Sequence, residues 1–534
     1  MVIPKIMLKP TPTPVPDRPP LSSDMMAALD HIEAHFPVLD WQVAGISIWP
    51  LLRIRWMYVE WARHHTSGDA SPATGIGAGK RLRQLLGGAA QARRADRADA
   101  ASRDTGPARR DLVFLSDGVS FSMLDKRWVE RFCDPIIAAA TTRGLSSALW
   151  TPTHQHRSPR LTPSRFIQPA IDRANLVGAL AARVVGGAVH LPAQAEVGRW
   201  LLAQGFSAAS LAVAKIRSDA WRIRAIARVH ERMLRNTQPR LAFVVGYYGV
   251  EGMAFVLACR RCGVPVVDIQ HGVQGDMHPA YAAWPAMGHG AGHGTAHTLL
   301  PDHFWVWSDW ERDVIQHWAR DQRHAAVVGG NPWMALWHGE SNWPGTSDAA
   351  SAARALREHA HGRPVVLVTL QYGLHAQDQL EPLADLLREA GDRLVFWVRL
   401  HPAMLERRAA IRALLGAAGH CELDPPTDLP LPALLACADV HLTHSSSTVM
   451  EAAQFGLRSV ITTDYGAELF GPLLASGMVE LSRGGASQLA TTLARLAAAG
   501  ASQSVCAPPL GAALDQLLAA TGPDLRTQAD PRTP

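Results

Sequence analysis

Cysteine is scarce in this sequence of 534 residues. Six cysteines are scattered along the chain, and only Cys259 and Cys262 lie close together. This spacing supports neither a disulfide framework nor a zinc ribbon, so it favours a reducing cytoplasm. Long apolar runs are also missing, because the stretch 176–189 is short and contains Arg183. We therefore expect no transmembrane helix.

The excess of positive charge is small. Lysine and arginine number 52 against 47 aspartate and glutamate, which gives a net charge of +5. Nucleic-acid-binding proteins carry denser basic patches, so we expect no nucleic-acid partner. The basic residues concentrate in residues 66–111, an Ala- and Gly-rich stretch. We interpret it as a linker, with contact to anionic lipid as an open alternative.

Composition changes along the chain predict its domain organisation. Apolar residues make up 47% of the chain, which is enough for a core in more than one domain. The predicted segments are a disordered Pro-rich start (1–23), a helical extension rich in Trp and Arg (24–65), the basic linker (66–111), a first Rossmann-like domain (112–330), an interdomain link (331–363), a second Rossmann-like domain (364–520) and a loose tail (521–534).

The helical extension mixes aromatic and basic side chains. Trp41, Trp49, Trp56 and Trp61 stand among several arginines. Such a mixture is typical of a helix at a bilayer interface. It is equally typical of a helix that docks on its own protein. Peripheral contact with the inner face of the membrane therefore stays open beside a purely cytoplasmic location.

Apolar runs that end in small polar residues recur from residue 111 onward. They predict buried parallel strands, with helical patterns between them. The resulting fold class is α/β, with two Rossmann-like, doubly wound domains that face each other across a cleft, where ligands would bind at the carboxyl ends of the strands. The main runs are 111–116, 148–150, 241–246, 263–269, 304–307, 325–328, 364–370, 394–399, 440–443 and 459–462.

A serine-rich turn follows the strand predicted at 440–443. Ser445, Ser446 and Ser447 stand where the chain turns into a helix. Hydroxyls and unpaired N–H groups at such a turn suit a phosphate. A second interpretation needs no ligand, because Thr448 and Glu451 match a capping box, in which each side chain bonds a backbone N–H group of the other residue.

A second polar motif, Arg399-Leu400-His401-Pro402, follows the strand predicted at 394–399. Arginine offers a fixed fork to phosphate, and histidine offers a donor. Alternatively, Arg399 pairs with a carboxylate and His401 caps the next helix. The motif and the serine turn belong to the same edge of one sheet, so together they favour a phosphate site.

These two motifs together resemble those of the GT-B glycosyltransferases that make bacterial surface polysaccharides. The resemblance rests on R-x-H-P at 399–402 and S-S-S-x-x-x-E at 445–451, inside the second Rossmann-like domain. Capsule-associated Kdo transferases and polysialyltransferases belong to this group, and the CDP-glycerol polymerases of teichoic acid synthesis are similar. In the first domain, Gln270-His271-Gly272 resembles a segment of capsule-type transferases. The resemblance covers residues 240–480.

The resemblance implies a metal-independent glycosyltransferase that needs no cofactor. It would move a sugar from a nucleotide-activated donor, with a cytidine nucleotide favoured, to a surface-polysaccharide or lipid-linked glycan acceptor. The second domain would hold the donor, with Arg399, His401 and the three serines on its phosphates and Glu451 on the ribose or sugar. The first domain would hold the acceptor. The sequence contains no D-x-D motif, which is consistent with charge stabilisation by protein groups.

Sugar transfer also needs a base that takes a proton from the acceptor hydroxyl. We expect it in the first domain, with His271 as the first candidate, Glu251 as the second and Asp276 as the third. Gln270 and Gly272 should line the cleft beside His271. A structural histidine in a turn is the alternative for His271, and the residue before Glu251 lacks the acid of the sialyltransferase motif.

Other functions stay open on the same fold. They are a CDP-glycerol-type phosphotransferase, a nucleotide-sugar epimerase and a non-catalytic GT-B-like subunit of a polysaccharide assembly complex. The loop 284–300 carries His289, His293 and His297 among glycines. Flexible glycines do not hold ligands in the fixed tetrahedron of a zinc site, so we expect no metal there.

Overall fold

The computed structural model describes most of the chain. It covers residues 22–65, 109–154, 157–285, 297–319, 324–338, 343–374, 376–416, 420–502 and 509–521. The predicted disordered start (1–23), basic linker (66–111) and loose tail (521–534) fall mostly on residues 1–21, 66–108 and 522–534, which lie outside the described residues. Ser22 and Ser23, which the prediction included in the disordered start, belong to a helix.

The N-terminal extension packs on the first domain. It consists of α1 (Ser22–His35), β1 (Gln42–Val43), β2 (Ile46–Ser47) and α2 (Trp49–His65). Trp41, Trp49 and Trp56 are at most 2% exposed. Arg53 is fully buried, where it forms an ion pair with Glu33 at 2.8 Å and donates to backbone carbonyls. The docking interpretation is therefore confirmed, and these side chains form no membrane-facing surface. None of the described helices is both long and apolar enough to traverse a bilayer.

The first domain is a parallel sheet with helices on both faces. Within the described residues the sheet has seven strands, in the order β12-β11-β10-β9-β3-β6-β7. Its elements are β3 (Leu112–Leu115), β4 (Phe121–Leu124), β5 (Arg127–Glu130), α3 (Cys133–Thr141), β6 (Ser147–Thr151), β7 (Ser164–Phe166), α4 (Gln168–Val184), β8 (Val189–His190), α5 (Gln194–Ala203), α6 (Val213–Thr237), β9 (Leu241–Val245), α7 (Val250–Arg261), β10 (Val266–Ile269), β11 (His303–Val306), α8 (Asp309–Trp318) and β12 (Ala325–Val328). Every residue of β3 and β9 is buried, as expected for strands covered on both sides.

The second domain repeats this architecture. Its sheet has six described parallel strands, in the order β15-β14-β13-β16-β17-β18. The link and the domain contain α9 (Pro332–Ala335), α10 (Thr346–Glu358), β13 (Val365–Thr369), α11 (Ala376–Ala390), β14 (Val395–Arg399), α12 (Arg408–Leu415), β15 (Cys421–Glu422), α13 (Asp424–Asp428), α14 (Leu431–Leu435), β16 (Val440–Thr443), α15 (Thr448–Gln454), β17 (Ser459–Ile461), α16 (Asp464–Leu469), α17 (Gly471–Ala475), β18 (Val479–Leu481) and α18 (Ala486–Ala498). The prediction of two doubly wound α/β domains is confirmed.

The strand order of each sheet reverses once. In the first sheet the chain runs outward from β3 through β6 to β7, and then from β9 in the opposite direction to β12. In the second sheet the reversal lies between β13 and β16. The connecting helices diverge to opposite faces at such a point and leave a crevice at the carboxyl ends of the strands. Each domain therefore offers one expected ligand crevice.

Among the described residues, at least three segments of the chain reach from one domain to the other. Ser22, at the start of α1, donates from its backbone N to Glu468 Oε2 of α16 at 2.8 Å. Leu124 and Val129 of the β4–β5 hairpin share an apolar cluster with Trp333 and Trp397. The last helix, α19 (Leu510–Ala520), packs on α3 and β12 of the first domain. The sequence boundaries placed this helix in the second domain, but its apolar side fits the first.

Candidate functional site

A crevice of about 340 Å³ lies where the first sheet reverses, between the ends of β3 and β9. Ser116 and Asp117 line it after β3, and Gly246 and Tyr248 line it after β9. Glu251, at the start of α7, also faces this space. One of the predicted bases therefore lies directly in the crevice of the first domain.

The environment of Glu251 favours proton uptake. Burial raises the pKa of this carboxyl group above its usual value, and the charge of Arg222 partly offsets that rise. Arg222 lines the same crevice and donates from Nε to Asn175 Oδ1 at 2.8 Å. A carboxylate with a raised pKa is a stronger base, so Glu251 has the chemistry that the acceptor side needs.

His271 lies behind Tyr248. Its Nε2 is 3.0 Å from Tyr248 Oη, and the two rings stack with their centroids 5.5 Å apart. Burial lowers the pKa of His271, so the ring is neutral at pH 7 and can accept a proton. Gly246 makes room for it, because a Cβ at that position would lie 2.7 Å from the His271 ring. His271 reaches the crevice through the tyrosine.

Tyr58 of α2 completes this aromatic group. Its hydroxyl lies 3.0 Å from Nε2 of His278, and its ring stacks on Tyr248 at 6.1 Å. Tyr58 and His278 are 220 residues apart in the sequence. Sequence reasoning missed Tyr58, because no pattern in the extension relates it to the strand ends of the first domain.

The other predicted residues of the first domain do not line this crevice. Gln270 is fully buried, and its amide bonds the backbone of Gly272 and Trp307 and the carboxylate of Glu311. The prediction that Gln270 faces the cleft is wrong, because its side chain satisfies polar groups at the end of the neighbouring strand. Beyond its two chain neighbours, no atom of the described residues lies within 4 Å of a Cβ added at Gly272, so packing among them does not require glycine there. Asp276 is exposed.

The second domain has a larger crevice, of about 410 Å³, at its own reversal point. The ends of β13 and β16 contribute Thr369, Thr443 and His444. Gly484 and Gly485 lead into α18 on the far side. A crevice of this size, with hydroxyl groups at the strand ends and glycines at a helix start, suits a nucleoside phosphate.

The serine turn follows directly after His444, which lines this crevice. Ser445 donates from its backbone N to Gln371 Oε1 at 2.7 Å, and Ser446 Oγ lies 3.0 Å from the Thr448 hydroxyl. Among the described residues, no group accepts from the backbone N–H of Ser446 or Ser447. The serine side chains are thus held locally, while two backbone donors stay available to an anion.

Glu451 forms no capping box. Its carboxylate lies 3.4 Å from the side-chain amide of Asn331 in the interdomain link, and α15 has no side-chain cap. Burial raises the pKa of Glu451. The capping-box interpretation is therefore wrong, because the side chain points toward the link between the domains.

Arg399 and His401 hold local structure at the end of β14. Arg399 donates from Nη1 to the backbone carbonyls of Pro426, at 2.6 Å, and of Leu429, and burial lowers its pKa to about 10. It pairs with no carboxylate among the described residues. His401 accepts from the backbone N of Ala403 at 3.1 Å, which confirms the capping alternative. A neutral His401 then carries its proton on Nε2, where it remains a donor.

Arg131 belongs to the first domain, and its positive charge influences ionisable groups of both domains. It follows the β4–β5 hairpin directly. Besides burial, its charge lowers the pKa values of His271, Arg399 and His401, and it limits the rise in the pKa of Glu451. Its Nε is buried and has no hydrogen-bond partner among the described residues. Sequence reasoning missed Arg131, because the hairpin that carries it has no strong strand pattern.

The histidine-rich loop gives no sign of a metal site. His289 and His293 lie outside the described residues. His297 is buried against Trp284 and His324, with ring centroids 5.6 Å away in both cases. In the part of the chain that the structure describes, no three His, Cys, Asp or Glu side chains are arranged to hold a metal ion.

No protein-family model matches this chain, and no curated protein matches it significantly. Solved structures do match. One is a co-structure of MnaA from S. aureus with UDP (12% identity, TM-score 0.47, covering 79% of this chain and 98% of that one). A UDP-GlcNAc 2-epimerase from Neisseria meningitidis bound to UDP-GlcNAc (14%, 0.44, 77% and 98%) and the wall teichoic acid polymerase TagF (10%, 0.41, 85% and 100%) are further examples. This degree of similarity carries no argument about activity.

Proposed function

We propose that this chain is a GT-B glycosyltransferase that moves a sugar from a nucleotide-activated donor to a hydroxyl group of a glycan acceptor. The observation that carries the proposal is the convergence of Arg131, from the first domain, with Arg399 and His401 of the second. The charge of Arg131 acts on both Arg399 and His401, so positive charge and a hydrogen-bond donor stand together at the carboxyl end of β14. A sugar nucleotide carries its negative charge on the phosphates that leave with the nucleotide, so this is the place where such charge needs stabilisation.

The donor occupies the second domain. Its nucleoside lies in the crevice at the ends of β13 and β16, and its phosphates face the free N–H groups of Ser446 and Ser447. His401 donates from Nε2, and Arg131 supplies charge from the opposite domain. Arg399 acts mainly through the carbonyls that it holds at residues 426–429. A cytidine nucleotide follows from the family resemblance of the two motifs.

The acceptor occupies the crevice of the first domain. Its hydroxyl oxygen attacks the anomeric carbon of the donor sugar, the bond from that carbon to the phosphate oxygen breaks, and the electron pair leaves with the nucleotide. Glu251 takes the hydroxyl proton. The lining of the crevice favours Glu251 over His271 for this step, because His271 reaches the space only through Tyr248. Asp276 has no part in it.

Nucleotide binding gives the first test. CMP, CDP, UDP and GDP are added to the wild-type protein at about 100 times their dissociation constants, where binding stabilises a protein by about 2.7 kcal/mol. We expect one of them to raise Tm by several degrees. Arg131→Ala and His401→Ala should reduce that shift, whereas Arg199→Ala, which replaces an exposed arginine on α5, should keep it. If none of the four raises Tm, the donor site is refuted.

A nucleotide-sugar epimerase is the second candidate. Such an enzyme needs a proton-transferring group beside the donor and no acceptor, and Glu451 is a buried carboxyl group with a raised pKa on that side. Incubation of UDP- and CDP-sugars without any glycan separates the two, with products followed by NMR. Conversion of the free sugar nucleotide favours the epimerase. Transfer that requires an acceptor and fails in Glu251→Gln favours the transferase.

A further inference from the structure

The outer face of α4 is unusually apolar. All residues of this helix are described, and six of them are exposed. Four of the six are aliphatic and between 47% and 85% exposed, and the other two are arginines. The set consists of Arg173, Leu176, Val177, Leu180, Arg183 and Val184. We call these six residues the α4 ridge.

The α4 ridge is one continuous stripe. At 100° per residue, its members fall within an arc of about 120° on the helix. Surface helices of globular proteins normally turn polar side chains outward, so contiguous exposed aliphatic side chains indicate an interaction surface.

The inner face of α4 packs tightly against the rest of the first domain. Its inner face packs along α6, where a Cβ at Gly178 would lie 2.7 Å from the Cα of Arg222. This close approach fixes α4 on the domain. The ridge is therefore a rigid outward surface and does not cover a missing part of the described core.

The positive charge of the α4 ridge indicates what kind of partner it binds. None of the six residues is acidic, and Arg173 and Arg183 stand near the two ends of the helix. Arginines beside aliphatic side chains match the boundary of an anionic bilayer, where the aliphatic groups enter the acyl region and the guanidinium groups meet phosphates. We propose that the α4 ridge docks this protein on an anionic lipid surface.

A second copy of the chain fits this surface less well. In a symmetric pair the same patch would face itself, so the arginines of both copies would meet without any acid on the ridge to balance them. The phosphate groups of an anionic lipid surface would neutralise the charge of both arginines.

One flank of the same helix is connected to the acceptor crevice. Asn175 accepts from Arg222, which lines the crevice, and Asp172 and Asn175 both contribute to the electrostatic environment of Glu251. A bilayer on the outer face would thus bring a lipid-linked glycan close to that crevice. This last connection depends on the proposed function, whereas the docking itself does not.

Vesicle binding by the full-length protein tests the docking. The protein is sedimented with vesicles of 30% phosphatidylglycerol in phosphatidylcholine and with vesicles of phosphatidylcholine alone. The wild type should prefer the anionic vesicles. Leu176→Ser with Leu180→Ser should lower its partition coefficient about tenfold, because two leucines no longer insert. Arg173→Gln with Arg183→Gln should lower it about fivefold for each arginine.

Two exposed leucines away from the ridge give the matched control. Leu202 and Leu414 are 47% and 46% exposed, and Leu202→Ser with Leu414→Ser should bind vesicles like the wild type. The proposal is overturned if the ridge variants bind as well as the wild type. It is also overturned if they only convert an oligomer to monomer in light scattering with unchanged vesicle binding. A preserved nucleotide-induced Tm shift in the ridge variants separates docking from the donor site.

Discussion

At the end of β9, the ring of His271 occupies the space that a side chain at position 246 would need. Gly246 has a φ of 68°, in the left-handed region, and an added Cβ would touch the imidazole ring. Gly246→Ala should therefore cost about 1–3 kcal/mol of unfolding free energy, from backbone strain and the displaced ring. Urea unfolding followed by circular dichroism measures this change.

Gly272→Ala is the matched control for this prediction. It lies beside His271 in sequence, but its added Cβ would meet no atom within 4 Å. We expect its unfolding free energy to stay close to that of the wild type. Equal losses in the two variants would contradict the steric account of Gly246.

Single residues were the hardest features to predict. The motifs predict Arg399, His401 and Glu451 at one edge of the second sheet, because strand ends of one parallel sheet meet at one edge. They could not show where each side chain points. Arg131 and Tyr58 come from a hairpin and an extension that only the tertiary packing brings to the site. Local pattern carries no information about such long-range neighbours.

At the scale of the elements, His441 of β16 connects its strand to both neighbouring strands of the second sheet. Its ring bonds the hydroxyl of Thr369 on β13 and that of Ser459 on β17, both at 2.9 Å. Burial lowers the pKa of His441 from 6.5 to about 3. Between these values the unfolded chain binds a proton that the folded protein excludes, so this residue lowers stability as the pH falls.

His441→Gln tests this dependence. The unfolding free energy of the wild type minus that of the variant should fall by about 1.4 kcal/mol for each pH unit below 6.5, because one proton is bound on unfolding. The difference cancels the contributions of all other titrating groups. Chemical denaturation from pH 7 to 4.5 measures it, with exposed His359→Gln as the reference variant. A difference that does not change with pH would contradict a neutral, buried His441.

The elements themselves followed well from the sequence. Strands such as β3 and β9 are covered on both faces, so they appear as short, fully apolar runs, and β13 and β16 are mostly apolar for the same reason. Within the two parallel sheets, the strands that escaped prediction are β7, β15 and β18, which span only two or three residues each. The short antiparallel strands β1, β2, β4, β5 and β8 were also missed. Their pairing depends on the neighbouring strand, and their own residues hardly differ from those of a loop.

At the scale of the whole molecule, α19 follows the second domain in the sequence but packs on the first domain. Leu514 is fully buried in the cluster that contains Cys133 and Ile136 of α3. Leu514→Ala should cost about 2–5 kcal/mol, because it leaves a cavity between α19 and the first domain. Hydrogen exchange should then show lost protection in α3, with β13 and β16 unchanged.

Gln516→Ala on the exposed side of the same helix gives the comparison, since it changes no buried contact. It should leave exchange in both domains as in the wild type. If Leu514→Ala instead loosens the second domain, α19 belongs energetically to that domain, as the sequence boundaries suggested.

The return of α19 to the first domain has a mechanical consequence. The polypeptide passes from the first domain to the second at α9, and α19, which follows the second domain in the sequence, packs again on the first, so two covalent connections join the two domains. These two connections define a hinge axis about which one domain can rotate relative to the other. Rotation about the line through them can widen or narrow the cleft, whereas twisting or sliding across it would stretch one connection. The charge of Arg131, which acts on Arg399 and His401, would then approach and leave the second domain along a single, reproducible path.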